Sequence, residues 1–136
     1  DAALAVAAHN RDALGLKFQM ELTRSNWNDQ VAGDFDLIVS NPPYIATGEM
    51  PDLAPEVRDW EPHLALTPGG DGLGPYDTIA GAAAGGLLRP NGRLIVEVGA
   101  TQAPDVAQIF RDAGLADVTT HPDLAGKERV VAARRL

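Results

Sequence analysis

Two consecutive prolines, Pro42 and Pro43, follow the apolar run Phe35, Leu37, Ile38, Val39 at a distance of three residues. Neither proline has a backbone N–H, so a strand running through these apolar residues must stop there and leave its sheet. The flanking residues complete the tetrapeptide Asn41-Pro42-Pro43-Tyr44. Strand ends of open α/β sheets are where ligands bind. The Asn41 side-chain carbonyl and the Pro42 main-chain carbonyl offer two hydrogen-bond acceptors, and Pro43 holds Pro42 in extended geometry. Tyr44 contributes a flat ring for stacking and a hydroxyl for a polar contact. Such a set suits a planar NH2 group, whose lone pair is delocalised and must be oriented before the nitrogen can act as a nucleophile. The competing interpretation is a rigid turn that only ends a strand, since Asn-Pro and Pro-Pro mark turns on their own.

Around this tetrapeptide the sequence alternates helix and strand. Leu4, Ala7, Ala8 and Leu14 fall near helical spacing, which predicts a helix over Ala2 to Leu14 stopped by Gly15. Phe18, Met20 and Leu22 alternate, predicting a strand over Lys17 to Leu22, and Asp36 to Ser40 reads as a buried strand. Residues 45–75 contain five prolines and many glycines. That is too long for an ordinary connection and predicts a functional loop over the site. A helix is expected over Tyr76 to Arg89, a turn at Pro90-Asn91-Gly92, a strand over Arg93 to Val98, and a helix over Ala103 to Ala113 closed by Gly114. Two last strands, Asp117 to Thr120 and Arg129 to Ala133, complete an α/β pattern of sheet layered with helices.

Composition narrows the function classes. The chain has 136 residues, 45% of them apolar, which is one domain's worth of globular sequence. No apolar run reaches the 18 residues of a membrane span, and no signal peptide is visible. The absence of cysteine removes disulfides and thiolate catalysis and fits a cytoplasmic protein. A net charge of −8 disfavours nucleic acid, whose binding rests on Lys and Arg neutralising phosphates, and suits a basic protein partner better. His9, His63 and His121 are isolated, so no metal site is expected. The glycine run Gly69-Gly70-Asp71-Gly72-Leu73-Gly74 lacks a Gly-Lys-Ser/Thr ending and follows no strand, which argues for a flexible substrate-facing loop and against a phosphate loop. Glu56, Asp59 and Glu61, beside Arg58 and Trp60, read as a solvated acidic patch or a docking surface for a partner. Glu97 ends a strand and is free to point into a cleft or to pair with an arginine.

The tetrapeptide resembles the clamp of class I S-adenosylmethionine-dependent methyltransferases that modify planar nitrogens. A longer set of residues is similar to one group of them, the release-factor glutamine methyltransferases (the PrmC/HemK family). It comprises Glu56-Val57, Glu61-Pro62, Ala65-Leu66, Gly69 to Leu73, Arg93-Leu94-Ile95-Val96-Glu97-Val98-Gly99, and Asp123-Leu124-Ala125-Gly126-Lys127-Glu128-Arg129-Val130-Val131. This covers most of the chain from about Leu22 onward. The resemblance implies a Rossmann-like three-layer methyltransferase sheet, S-adenosylmethionine as cofactor, and transfer of its methyl group to the glutamine of the Gly-Gly-Gln loop in a peptide chain release factor, modulating translation termination. It assigns Asn41, Pro42 and Tyr44 to catalysis and the same residues with Pro43 to the substrate. For the cofactor it points to Trp27, Asn26 and Asn41, with Asn26 standing where the family usually has an acid.

Family members hold the cofactor on a glycine-rich loop after their first strand. Before Asn41 the sequence has only Gly15 and Gly33, and neither lies in a Gly-x-Gly cluster. The expectation is therefore a C-terminal portion, a partial methyltransferase catalytic domain over residues 1–136 that carries the clamp and substrate side of the site. It would be N-terminally truncated, without the first two strands, and inactive by itself. In the family those strands lie between Lys17–Leu22 and Asp36–Ser40. Without them an exposed edge is expected at Asp36–Ser40, open to dimerisation or strand exchange, unless the strands exist in the polypeptide and are merely unseen. Two other possibilities are a nucleic-acid base methyltransferase, which the same clamp would serve, and a catalytically silent fragment.

Overall fold

The computed structural model describes residues 2–136. These divide into two compact units, one ending at Ala32 and one spanning Gly33–Leu136. The first contains helix α1, Ala2–Ala13, followed by turns. The alternation at Lys17 to Leu22 does not produce the expected strand. Gln19 and Met20 instead donate their amides back to the Leu16 carbonyl at 2.9 Å, and Phe18 is 98% exposed. A two-residue period becomes a strand only where a neighbouring strand accepts its N–H groups, and here the chain satisfies them locally.

The second unit is built on a mixed sheet of four strands: β1 (Phe35–Ser40), β2 (Leu88–Glu97), β3 (Ala116–Pro122) and β4 (Glu128–Arg134). Their spatial order is β1-β2-β4-β3, with β1 parallel to β2 and the other pairs antiparallel. This is the α/β architecture expected from the sequence. β1 lies at the sheet edge, also as expected. It is not the buried strand that its apolar run suggested, because Leu37 and Val39 are exposed and only Ile38 packs toward the core.

β2 organises the core. Its alternate residues Leu94 and Val96, with Val98 just beyond, are fully buried, and they stand in register with β4 as Leu94↔Ala133 and Val96↔Val131. After two single helical turns, α2 (Pro55–Arg58) and α3 (His63–Leu66), come the helices that pack against this face: α4 (Gly74–Ala82), through Tyr76, Ile79 and Ala80, and α5 (Ala103–Asp112), through Ala103, Val106, Ala107 and Phe110. The α5 positions follow the i, i+3, i+4, i+7 rule of a helix with one apolar stripe. The helix expected over Tyr76 to Arg89 is shorter. A wide turn at Ala83–Leu87 unwinds it where Gly86 takes φ 126°, and Leu88 already belongs to β2. The predicted Pro90-Asn91-Gly92 turn is retained as a protrusion within β2, between the pairs Phe35↔Leu88 and Leu37↔Arg93.

Phe110 is fully buried at the middle of this core. Its replacement by alanine is expected to lower stability by about 3–5 kcal/mol in urea unfolding, through lost transfer energy and the cavity left behind.

Candidate active site

β1 delivers the tetrapeptide. Its ladder with β2 ends at Ser40↔Val96, and Asn41 follows at once, exposed, with Pro42 buried and Pro43 and Tyr44 half-buried. Among the described residues, no hydrogen bond from the protein reaches the Asn41 side chain or the Pro42 carbonyl oxygen. Both acceptors at this strand end are thus without a protein donor, the Asn41 carboxamide on an exposed residue and the Pro42 carbonyl on a buried one.

Tyr44 is fixed from several directions. Its hydroxyl donates to Glu97 Oε1 at 3.4 Å, a long and weak bond. Its carbonyl accepts from Gln102 Nε2 at 2.9 Å, while Gln102 Oε1 accepts from the Gly99 amide at 3.0 Å. Gly72, at φ +83°, presses against the same carbonyl so closely that a β-carbon there would sit 2.2 Å from Tyr44 O. The next amide, Ile45 N–H, donates to the Leu66 carbonyl at 3.0 Å. Glu97 itself is held at its main chain, where the buried Tyr76 hydroxyl donates to its carbonyl at 3.0 Å. Among the described residues, Glu97 therefore neither pairs with an arginine nor stands free; it meets Tyr44.

The long connection is folded around this point. It forms short helical turns at Thr47–Asp52, Pro55–Arg58 and His63–Leu66, and its ends are drawn in by Ile45 and by the Thr47 amide donating to the Gly70 carbonyl at 3.0 Å. The glycine run is an ordered turn, bonded through Thr67 Oγ1 to Gly69 N–H and through Asp71 Oδ1 to Leu73 N–H. Its positive φ values are as expected for glycines, but its role at Gly72 is to seat Tyr44. An open groove of about 490 Å³ runs beside the clamp, lined by Tyr44, Glu49, Asp52, Thr101, Gln102 and Arg129 among others. Trp60 is 85% exposed in the patch with Glu56, Asp59 and Glu61, where Arg58 pairs with Asp59 at 2.8 Å.

The residues assigned to the cofactor lie in the N-terminal unit apart from Asn41. The Trp27 ring is 39% exposed and its backbone takes φ 52°. Asn26 Nδ2 donates to Asp29 Oδ2 at 3.4 Å, which leaves its side-chain carbonyl to accept. A half-open indole and a free amide oxygen fit the flat face and exocyclic amine of an adenine. No group of three metal-ligating side chains occurs among the described residues.

Glu97 was visible in the sequence as a strand-end carboxylate; Gln102 was not singled out. Its signal is its place three residues after Gly99 and two before Pro104, at the N-cap of α5, where glutamine is an unusual choice.

Two outcomes follow. Gly72→Ala is expected to displace the Tyr44–Ile45 backbone, visible as shifted amide NMR signals there with those of Val106 to Phe110 unchanged. Burial pushes the Tyr76 hydroxyl well above the usual phenol range, with Tyr44 and Glu97 adding to the effect. The unfolded chain loses that proton near pH 10 and the folded one retains it, so this stabilisation is complete below about pH 10 and falls away as pH rises further. In Tyr76→Phe the alkaline fall in stability, followed by denaturant titration, is expected to be shallower.

No protein-family model matches the chain. It is 57% identical over 133 residues to a release factor glutamine methyltransferase of Cereibacter sphaeroides, covering 98% of this chain and 48% of that protein. It is 46% identical to the protein of the same name from Agrobacterium fabrum, again over 98% of this chain and 46% of the other. A bifunctional methyltransferase of Rickettsia bellii is 40% identical over 95% of this chain and 23% of its own length. Among solved structures, a release factor-specific protein-(glutamine-N5) methyltransferase of Alicyclobacillus acidocaldarius superposes with a TM-score of 0.48 at 33% identity, covering 75% of this chain and 49% of the other. By sequence, then, nearly the whole chain is similar to proteins named release factor glutamine methyltransferase, and it spans about half the length of the curated relatives it matches.

Proposed function

We propose that residues 1–136 form the clamp and substrate side of a methyltransferase catalytic domain. Its reaction is transfer of a methyl group to the side-chain amide nitrogen of a glutamine, in the Gly-Gly-Gln loop of a peptide chain release factor. The observation that carries this reading is the pair of unengaged acceptors, Asn41 and the Pro42 carbonyl, at the end of β1 beside a Tyr44 held from several sides. The names of the relatives support the substrate.

When bound, S-adenosylmethionine supplies an electrophilic methyl group; Asn41, at the end of β1, is the residue of this unit that would hold it. Asn41 Oδ1 and the Pro42 oxygen each take one amide hydrogen of the acceptor, which fixes the nitrogen and draws electron density toward it. Tyr44 packs its ring on the amide plane. The main benefit is positioning, since the two oxygens and the ring fix the place and direction of the acceptor nitrogen before it reacts. The same two oxygens are dipoles aligned to the positive charge that develops on nitrogen. No strong base is needed beforehand, because the amide proton becomes acidic only after alkylation.

The net charge of −8 favours a basic protein over a nucleic acid as the acceptor's carrier. No helix among the described residues is long and apolar enough to cross a membrane. We place the protein in the cytoplasm, with its release factor. The outer edge of β1 remains open to pairing with another strand, which makes dimerisation of this chain a further expectation.

In the intact protein, Asn41→Ala is expected to lower turnover on release factor by about 10²-fold, with far less change in S-adenosylmethionine affinity. Unchanged turnover removes the clamp. Assays on DNA and RNA in parallel separate this reading from a base methyltransferase, which would methylate them in preference.

A further inference from the structure

We infer that Gln102 is the positioning residue of the clamp, acting through the main chain of Tyr44; the inference rests on the proposed methyl transfer. Three observations converge on it. Its carboxamide is used at both ends, Nε2 donating to Tyr44 O at 2.9 Å and Oε1 accepting from Gly99 N–H at 3.0 Å. It thereby ties the segment leaving β1 to the segment leaving β2, two chain ends that share no ladder bond beyond Ser40↔Val96. Gly72 lies against the same carbonyl on the side from which Gln102 donates, since a β-carbon there would come within 2.2 Å of Tyr44 O and 2.9 Å of Gln102 Nε2. The donor therefore reaches the Tyr44 carbonyl through a space that only a residue without a side chain leaves open.

Gln102 is the N-cap residue of α5, yet its side chain makes no cap bond to its own helix. Nor does it reach Asn41 or the Pro42 carbonyl. Its effect on the acceptor passes through two peptide units, Pro43 and Tyr44, whose proline torsion leaves little slack. A tilt of the Tyr44 peptide turns the ring and carries the Pro42 oxygen with it. Displacements of about 1 Å in such a carbonyl cost about 10²-fold in rate.

The test compares Gln102→Leu, Gln102→Glu and Asn41→Ala with the parent in the intact protein, by mass-spectrometric detection of glutamine methylation on release factor. Gln102→Leu removes both bonds and is expected to lower kcat about 10- to 100-fold with KM for S-adenosylmethionine little changed. Gln102→Glu replaces the donor by a carboxylate facing the Tyr44 carbonyl. Once protonated it donates again, so its kcat relative to the parent should rise several-fold as pH falls from about 8 toward 5.5. The groups around that carboxyl are Glu49, Asp52, Tyr44 and Arg129 in the groove, Glu97 against Tyr44, and Asp105 on its own helix. The carboxylates favour the protonated acid, while Arg129, the Gly99 N–H and the N-terminus of α5 favour the ionised one, so the titration is followed to the lowest pH at which the parent still turns over. Such recovery is not produced by a loss of stability alone, and it remains readable if Gln102→Leu fails to fold. A Gln102→Glu ratio that stays flat across pH, or Gln102→Leu with parental kcat and only a lower unfolding temperature, overturns the inference while a slow Asn41→Ala keeps the clamp. Parental turnover in Asn41→Ala overturns both.

Discussion

Pro42 and Pro43 bring two missing backbone donors to the end of β1, and the arrangement of the site follows from that deficit. A strand that could keep donating would extend its ladder with β2, and its carbonyls would be occupied by that neighbour. Pairing instead ends at Ser40↔Val96, and the Pro42 oxygen leaves the sheet unengaged. The same deficit means the sheet cannot hold the segment that follows. Tyr44 must be secured by other parts of the chain, and it is: by Gln102 before α5, by Gly72 in the glycine turn and by Glu97 on β2. Residues up to 58 positions apart in sequence converge on one aromatic residue because prolines removed the local means of fixing it.

β2 couples this site to the core. Its buried residues Leu94 and Val96 set the register against Val131 and Ala133, while Glu97, one residue on, turns its side chain to Tyr44. Because strand residues alternate faces, a slip of one position would bury Glu97 and expose Val96 together. The apolar pairing of β2 with β4 is thus what specifies where the Tyr44 hydroxyl can find its acceptor. Tyr76 reinforces this from the helix side, since its buried hydroxyl needs the Glu97 carbonyl as partner and so fastens α4 to the same residue.

The parts legible in the sequence are those governed by local periodicity or by backbone chemistry. The helix over Ala103 to Ala113, closed by Gly114, is realised as α5, and the prolines announced the end of β1. The family motifs announced the homology. The failures share another cause. Lys17 to Leu22 has a strand's alternation but finds no partner strand, and Leu37 and Val39 are exposed at an edge although their sequence suits a buried strand. Both depend on what stands beside the segment, which composition does not encode. The glycine run was legible as backbone freedom and illegible as a seat for Tyr44, since the contact is made by Gly72 lacking a side chain. Gln102 is not legible because its partner Tyr44, 58 positions away in the sequence, is brought to it only by the parallel pairing of β1 with β2.

The start of α5 shows a local rule set aside at the site. Ser, Thr, Asp or Asn at an N-cap typically stabilises a helix by about 1 kcal/mol through a bond to its own first turn. Gln102 occupies that place, and its side chain leaves the helix unserved. A serine there would favour α5, but its hydroxyl is too short to span Tyr44 O and Gly99 N–H together. The long carboxamide supplies a donor and an acceptor at the two ends of one planar group, which matches the one carbonyl and one amide left over by the two strands. α5 tolerates the loss because Val106 and Phe110 are anchored in the core, so the helix does not depend on its cap. Packing on one side of α5 thereby frees the residue at its head to serve the neighbouring strand end, and departures of this kind concentrate where a protein gives up stability for geometry.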